Sequence, residues 1–174
     1  MYHYNFGNES IVVDHELTEK EINAYIADAL GLENREYCEA TYQDEAGIGI
    51  VGDASYGSAQ ALADRLKQAL DLPDVRIGGD CTRSIKRIGI CSGSCGEILD
   101  IAREKGADTF ITGEIKHNMY VDNPGMILIE AGHYGTEKCF VSIACEYLQK
   151  KAAGLKYNVK ILGNDVSSFP YKNY

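Results

Sequence analysis

The sequence predicts an α/β protein built on a mixed, largely parallel sheet with helices on its faces. Three observations lead there. Short apolar runs alternate with amphipathic stretches of helical period along most of the 174 residues. Strands spaced by helices make βαβ units, and such units build sheets covered on both faces. No Pro- or Ser-rich linker, low-complexity segment or short repeat interrupts the chain. Residues 1–174 therefore read as a single domain, long enough to bury a core.

The elements follow in order. "LTEKEINAYIADALGLE", residues 17–33, reads as a helix. Thr18 and Glu21 have the spacing of a capping box, and Ile22, Tyr25, Ile26, Ala29 and Leu30 form one apolar stripe. Gly31 suits the stop. "GIGIVG" (47–52) reads as a strand. "SAQALADRLKQALDL" (58–72) reads as a second amphipathic helix with Leu62, Leu66, Ala69 and Leu70 on one side, ended by Pro73. "VRIGG" (75–79) and "IKRIGIC" (85–91) read as strands, followed by a turn and a helix from about Gly96 to Lys105. "DTFIT" (108–112) is a strand, "EIKHNMYVD" (114–122) a short helix or turn, and "MILIEA" (126–131) a strand. "GTEKCFVSIACEYLQKKAA" (135–153) is a helix whose stripe is Phe140, Ile143, Ala144, Tyr147 and Leu148. "NVKILG" (158–163) reads as a last strand, and the residues after it as irregular.

Composition narrows the function classes. The formal net charge is −9, from 17 Lys+Arg against 26 Asp+Glu, and no basic cluster stands out, so a nucleic-acid partner is not expected. No apolar run approaches the ~20 residues a bilayer crossing needs, so no membrane role is expected. The N-terminus "MYHYNFGNES" lacks the basic and apolar regions of a signal peptide, which makes the cytoplasm the expected location. Six cysteines without a Cys-x-x-Cys pair read as free thiols in that reducing compartment. Cys91-x-x-x-Cys95 is a weak metal signal.

Four places could carry chemistry. In "ILIEAGHYGTEKCF" (127–140), His133 and Glu137 lie four apart at a helix start just past a strand, on one face. Ligands gather outside the carboxyl ends of strands in such sheets. An imidazole nitrogen and a carboxylate oxygen together suit zinc, iron or manganese. The alternative is a carboxylate attracted to a helix start beside an unrelated histidine. "TGEIKHN" (112–118) brings Glu114, Lys116 and His117 to the same sheet edge; Glu114 would act as ligand or general base, or the segment is a solvated polar turn. "CSGSCGE" (91–97) is a strand–turn–helix that could hold an anion on backbone amides, or a plain tight turn. "HYN", with His3 and Asn5, could equally be a frayed end.

Taken together, "IKRIGICSGSCGEILDIAREKGA", "ADTFITGEIKHN" and "ILIEAGHYGTEK" resemble the C-terminal half of the NIF-three-like dinuclear-metal-centre proteins, often named GTP cyclohydrolase 1 type 2 homologues. "GIGIVG" and "LADRLKQALDLPDVRIGGD" are similar to that family too, so the resemblance covers roughly residues 18–150. It implies two related α/β lobes, a toroidal homohexamer, and two divalent metals per site. The implied ligands are a His-His-Pro-type motif of the first lobe, the Asp of "HTNxD", and the His and Glu of "AGHxxxE", here His133 and Glu137. The chain departs from that pattern. It has no His-His dipeptide, and "HYNFG" puts Gly7 where the Asp would stand. Asn118 stands where a second polar residue, commonly His, is expected. The expectation is a member with its first lobe shortened or absent. The resemblance implies a metal-dependent hydrolase of a small, nucleotide-like substrate and self-association as a homo-oligomer; in such an enzyme Glu114 or Glu137 would assist as base, with Glu114 the first candidate. The alternative is a non-catalytic oligomeric metal-binding or regulatory protein with a degenerate site, and a third is an α/β domain whose polar strand ends carry no special chemistry.

Overall fold

The computed structural model describes residues 2–6, 9–13, 15–41 and 46–164, with side chains described over 22–40 and 47–164. The expected "HYNFG" substitution at Gly7 lies outside the described residues. In chain order the elements are β1 (Tyr2–Phe6), β2 (Glu9–Val13), α1 (His15–Ala29), β3 (Glu33–Thr41), β4 (Ala46–Tyr56), α2 (Ala59–Leu70), β5 (Arg76–Gly78) and β6 (Ile85–Cys91). A 3-10 turn (Gly96–Ile98) leads into α3 (Leu99–Glu104). Then come β7 (Thr109–Thr112), α4 (His117–Asp122), β8 (Ile127–Glu130), α5 (His133–Glu137) and α6 (Phe140–Gly154).

Six strands form one mixed sheet in the order β3-β4-β6-β7-β8-β5. The parallel pairings are the central ones, β6 with β7 and β7 with β8. The flanking pairings are antiparallel: β3 with β4, β4 with β6, and β5 with β8. The expected parallel character is thus confined to the three strands that the helices link. β4 enters as a hairpin with β3, and a hairpin can only pair antiparallel.

The buried positions of the central strands are apolar or small because both faces are covered there, and the charged residues Lys86, Arg87 and Glu130 lie towards the strand ends. Ile88, Ile90, Ile111, Ile127 and Ile129 point to the side carrying α1 and α2. Cys91, Phe110 and Leu128 point to the side carrying Ile98, Leu99 and Ala102. On α2, Leu62, Ala63, Leu66 and Leu70 are buried, and the Ser58 side chain accepts the N–H of Ala61 at its start. The α1 stripe buries Ile22, Ile26 and Leu30 as expected, while Tyr25 is left 39 % exposed. The helix begins at His15, so Thr18 and Glu21 lie inside it and do not cap it.

Three segments differ from expectation. β1 and β2 pair as a separate two-stranded sheet where a frayed end was an alternative. β3 goes beyond the expectation, because "ENREYCEAT" carries charge at four of its nine positions and lacks the apolar alternation of a strand. "NVKILG" has strand-like alternation but forms no strand. It is held along α6: the Gln149 side chain donates to the carbonyl of Val159 (3.2 Å) and accepts the N–H of Ile161 (3.1 Å).

Arg87 ties the hairpin to the rest. Its guanidinium donates to Asp53 (2.5 Å), Glu36 (2.6 Å) and the carbonyl of Lys105 (2.8 Å), while Lys105 also reaches Glu36 (2.7 Å). The hydrogen bond from Lys105, helped by Arg87, holds the Glu36 carboxyl below its ordinary value; Asn34 and then Arg87 do so for Asp53. Carboxylates with depressed folded values stabilise above the unfolded range near 4 and lose that contribution as pH falls through the folded values. Arg87→Leu is expected to cost roughly 1–2 kcal/mol at pH 7. It should also shrink the gap between thermal midpoints at pH 7 and pH 3, and an unchanged gap would contradict the network's role.

Candidate metal site

The parallel strands β6, β7 and β8 end side by side at Cys91, Thr112 and Glu130. Their three following loops are bolted together by backbone groups. Ser92 N–H donates to Asn23 Oδ1 of α1 (2.9 Å), and Asn23 is only 2 % exposed. Gly93 N–H donates to Thr136 Oγ1 (3.1 Å), and that hydroxyl in turn donates to the carbonyl of His133 (2.9 Å). The carbonyl of Gly93 accepts from Thr112 Oγ1 (3.2 Å) and from the N–H of Glu114 (3.0 Å). Ala131 N–H donates to the carbonyl of Thr112 (2.9 Å). These bonds fix the backbones of Glu114 and His133 relative to one another.

Two glycines allow the closeness. A Cβ on Gly113 would fall 2.5 Å from the carbonyl oxygen of Gly93 and 2.8 Å from His133 Cα. Gly93 has φ +74, and a Cβ there would fall 2.8 Å from Glu137 Oε1 and 3.5 Å from His133 Nε2.

On this frame the three expected residues meet. His133 Nδ1 lies 3.0 Å from Glu114 Oε1, and His133 Nε2 lies 3.2 Å from Glu137 Oε1. The spacing of four, within the single turn of α5, puts His133 and Glu137 on one face. Their side chains are 46 % and 45 % exposed, and Glu114 is 56 % exposed. A neutral imidazole can donate to only one of the two carboxylates. With Nδ1–H directed to Glu114, Nε2 keeps its lone pair on the side of Glu137, the arrangement that second carboxylates impose on metal-binding histidines.

The donor set of one imidazole nitrogen and one carboxylate oxygen fits a divalent ion, and the bare Cα of Gly93 leaves the donor atoms uncovered. Among the described residues, no group of three or more His, Cys, Asp or Glu side chains is placed to hold a metal ion, because Glu114 and Glu137 approach opposite sides of the ring. Glu130, at the end of β8, is engaged elsewhere: Arg76 donates to it at 2.5 Å and Tyr120 at 2.7 Å. Burial, then the bond to Glu130, pushes the Tyr120 hydroxyl up, so it stays a donor.

Other candidates are not drawn in. Lys116 and His117 are exposed and make no hydrogen bond or ion pair with His133 or Glu137 among the described residues. The 92–96 turn is a poor anion cradle, since the amides of Ser92 and Gly93 are already bonded to Asn23 and Thr136. None of the six cysteines forms a disulfide. Burial pushes the thiols of Cys38 and Cys139 up to about 11, which keeps them protonated packing groups. Sequence reasoning missed Asn23, Gly93 and Thr136. Asn23 carried a signal, as a polar residue flanked by Ile22, Ile26 and Ala27.

A family model described as Duf34/NIF3 (NGG1p interacting factor 3) matches residues 14–170. A GTP cyclohydrolase 1 type 2 homolog of Streptococcus pneumoniae is 30 % identical over 162 residues, which cover 90 % of this chain and 60 % of that protein. The Lactococcus lactis protein of the same name is 31 % identical over 140 residues, covering 78 % of this chain and 52 % of that one. The chain thus spans between half and two thirds of the length of these relatives. Among solved structures, a Bacillus cereus protein related to NIF3 superposes with a TM-score of 0.80 at 17 % identity, covering 88 % of this chain and 69 % of that one. A Staphylococcus aureus protein does so with a TM-score of 0.79 at 22 % identity, covering 88 % and 64 %. At these identities the structural likeness shows the fold.

Proposed function

The chain belongs to the Duf34/NIF3 family, and from that premise we propose that it binds a divalent metal ion (zinc, iron or manganese) through His133 and Glu137 and hydrolyses a small, nucleotide-like substrate. One observation supports this most: His133 is clasped between two carboxylates, with Nε2 and Glu137 Oε1 on the open side. A divalent ion there would supply Lewis acidity to polarise a carbonyl, imine or phosphoryl oxygen.

The chain's own residues take distinct parts. Glu114 Oε1 accepts Nδ1–H, orients the ring and fixes its tautomer. Its second oxygen is the proton acceptor expected of a general base. Thr136 and Gly93 hold the backbone on which His133 and Glu137 stand. The names of the relatives, GTP cyclohydrolase 1 type 2 homolog, favour a nucleotide-like substrate. Further donors would come from water, substrate or a neighbouring copy in a homo-oligomer.

A second reading rests on the same site. Two open donors without a third favour a non-catalytic, oligomeric metal-binding or regulatory protein. Chelator-stripped protein reloaded with zinc, manganese or iron(II) and offered GTP and related nucleotides separates the two. Metal-activated turnover supports the hydrolase; metal binding without turnover of any of them supports the second reading. Glu114→Gln keeps the side-chain shape but weakens its grip on Nδ1–H, and is expected to lower metal affinity by about 10–100-fold. An unchanged affinity would remove Glu114 from the positioning role.

A further inference from the structure

Asn23 is a polar side chain on the buried side of α1, which it shares with Ile22, Ile26, Ala27 and Leu30. It is 2 % exposed, and burying an amide costs free energy unless it is hydrogen-bonded. Its Oδ1 takes the N–H of Ser92, the first residue past β6, at 2.9 Å. The carbonyl of Ser92 accepts the Cys95 thiol of the same loop (3.1 Å), so Asn23 is the tie that reaches Ser92 from another element. Ser92 is followed by Gly93, where the two halves of the candidate site meet. The Gly93 N–H goes to Thr136 on α5, the helix that carries His133 and Glu137, and its carbonyl takes the N–H of Glu114. α1 itself also packs against β6 and α5.

We propose that Asn23 is a positioning residue through which α1 sets the metal affinity of His133 and Glu137. The inference rests on the metal reading of those two residues. Without the Oδ1 acceptor, the Ser92 N–H is left buried and unpaired, a cost the loop relieves by shifting towards water. Gly93 is the next residue, so the shift passes directly to its bonds with Thr136 and Glu114. Glu137 stands close over the same spot, since a Cβ on Gly93 would fall 2.8 Å from its Oε1. A displaced Gly93 therefore changes how the ring that Glu114 orients faces the Glu137 carboxylate.

The coupling runs both ways. If the Asn23–Ser92 bond favours the loop position that binds the ion, the ion favours that bond by the same factor. An asparagine that merely satisfied a buried donor would show neither effect: its loss would lower stability and leave metal binding as it was.

The test is calorimetric titration of chelator-stripped protein with zinc, beside amide hydrogen exchange of the wild-type chain followed by NMR. Asn23→Ala is expected to bind zinc about tenfold more weakly than the wild type. Asn23→Asp, which keeps an acceptor oxygen for the Ser92 N–H, is expected to regain the affinity. Ile26→Val loosens the same helix against the core without touching Ser92, and is expected to lower the thermal midpoint with wild-type affinity. In the wild type, saturation with zinc is expected to slow exchange of the Ser92 amide by about the same tenfold factor. Equal zinc affinity in Asn23→Ala and the wild type, an equal loss in Ile26→Val, or no recovery in Asn23→Asp would each overturn the positioning role while leaving the metal reading intact. Should a variant at Asn23 not fold, the exchange measurement decides alone: a Ser92 amide indifferent to zinc overturns the role. A wild-type chain that takes up no zinc, manganese or iron(II) overturns the metal reading and this inference with it.

Discussion

Gly93→Ala is expected to lower metal affinity by about 100-fold, equivalent to ~2.7 kcal/mol, while the protein remains folded. Two effects combine at this residue. Its φ of +74 strains any L side chain by about 1–2 kcal/mol. The new methyl would also stand 2.8 Å from Glu137 Oε1, so the carboxylate must swing away from His133 Nε2. Gly31→Ala is the matching control. Gly31 has φ +68 with nothing within 4 Å of a Cβ, so that variant bears the backbone strain without the clash. Equal loss of thermal stability in both variants, with metal affinity lost only in Gly93→Ala, is the expected pattern. Undiminished affinity in Gly93→Ala would mean that the face beside Gly93 is not where the ion sits.

Gly113→Ala is expected to give a large loss of stability. Its methyl would meet the carbonyl oxygen of Gly93, the Cα of His133 and, at 3.0 Å, Thr136 Oγ1. Two of these are backbone, and all belong to the bonded junction of three loops, so relief requires the loops to part. Overpacking of a tight site typically costs 1–3 kcal/mol, and a backbone clash sits at or above the upper end, at about 3 kcal/mol. For a chain of this size that lowers the thermal midpoint by about 6–12 °C. A change of only a degree or two would show that the junction is looser than its hydrogen bonds imply.

The sequence made some parts of this structure plain and hid others. β6, β7 and β8 were legible because their central positions are buried on both faces and are apolar or small, with Lys86, Arg87 and Glu130 confined towards the ends. The α2 stripe was legible for the related reason that a single buried face writes a helical period. β3 was hidden because an edge strand buries little; Cys38 is the one buried residue among its described side chains, and Glu36 bonds sideways to Arg87 and Lys105. Residues 158–163 mislead in the opposite direction, since their alternation is real but Gln149, not a neighbouring strand, takes up the backbone groups.

The site shows the same division. His133 and Glu137 could be paired from spacing alone, because one helical turn brings them together whatever the rest of the fold does. That Glu114 would meet the opposite ring nitrogen could not be read, because it depends on how closely the loops after β7 and β8 approach. That approach is set by Gly113, by Thr136 and by the bonds to Gly93, which lie 43 residues from Thr136 along the chain.

The central claim is that His133 and Glu137 hold a divalent ion. Calorimetric titration of chelator-stripped protein with zinc and with manganese, run beside His133→Ala and Glu137→Gln, tests it most directly. The expected result is a saturable site in the wild-type chain that disappears in His133→Ala and weakens in Glu137→Gln. A wild-type chain that takes up neither ion, or a His133→Ala chain that takes up as much as the wild type, would contradict it.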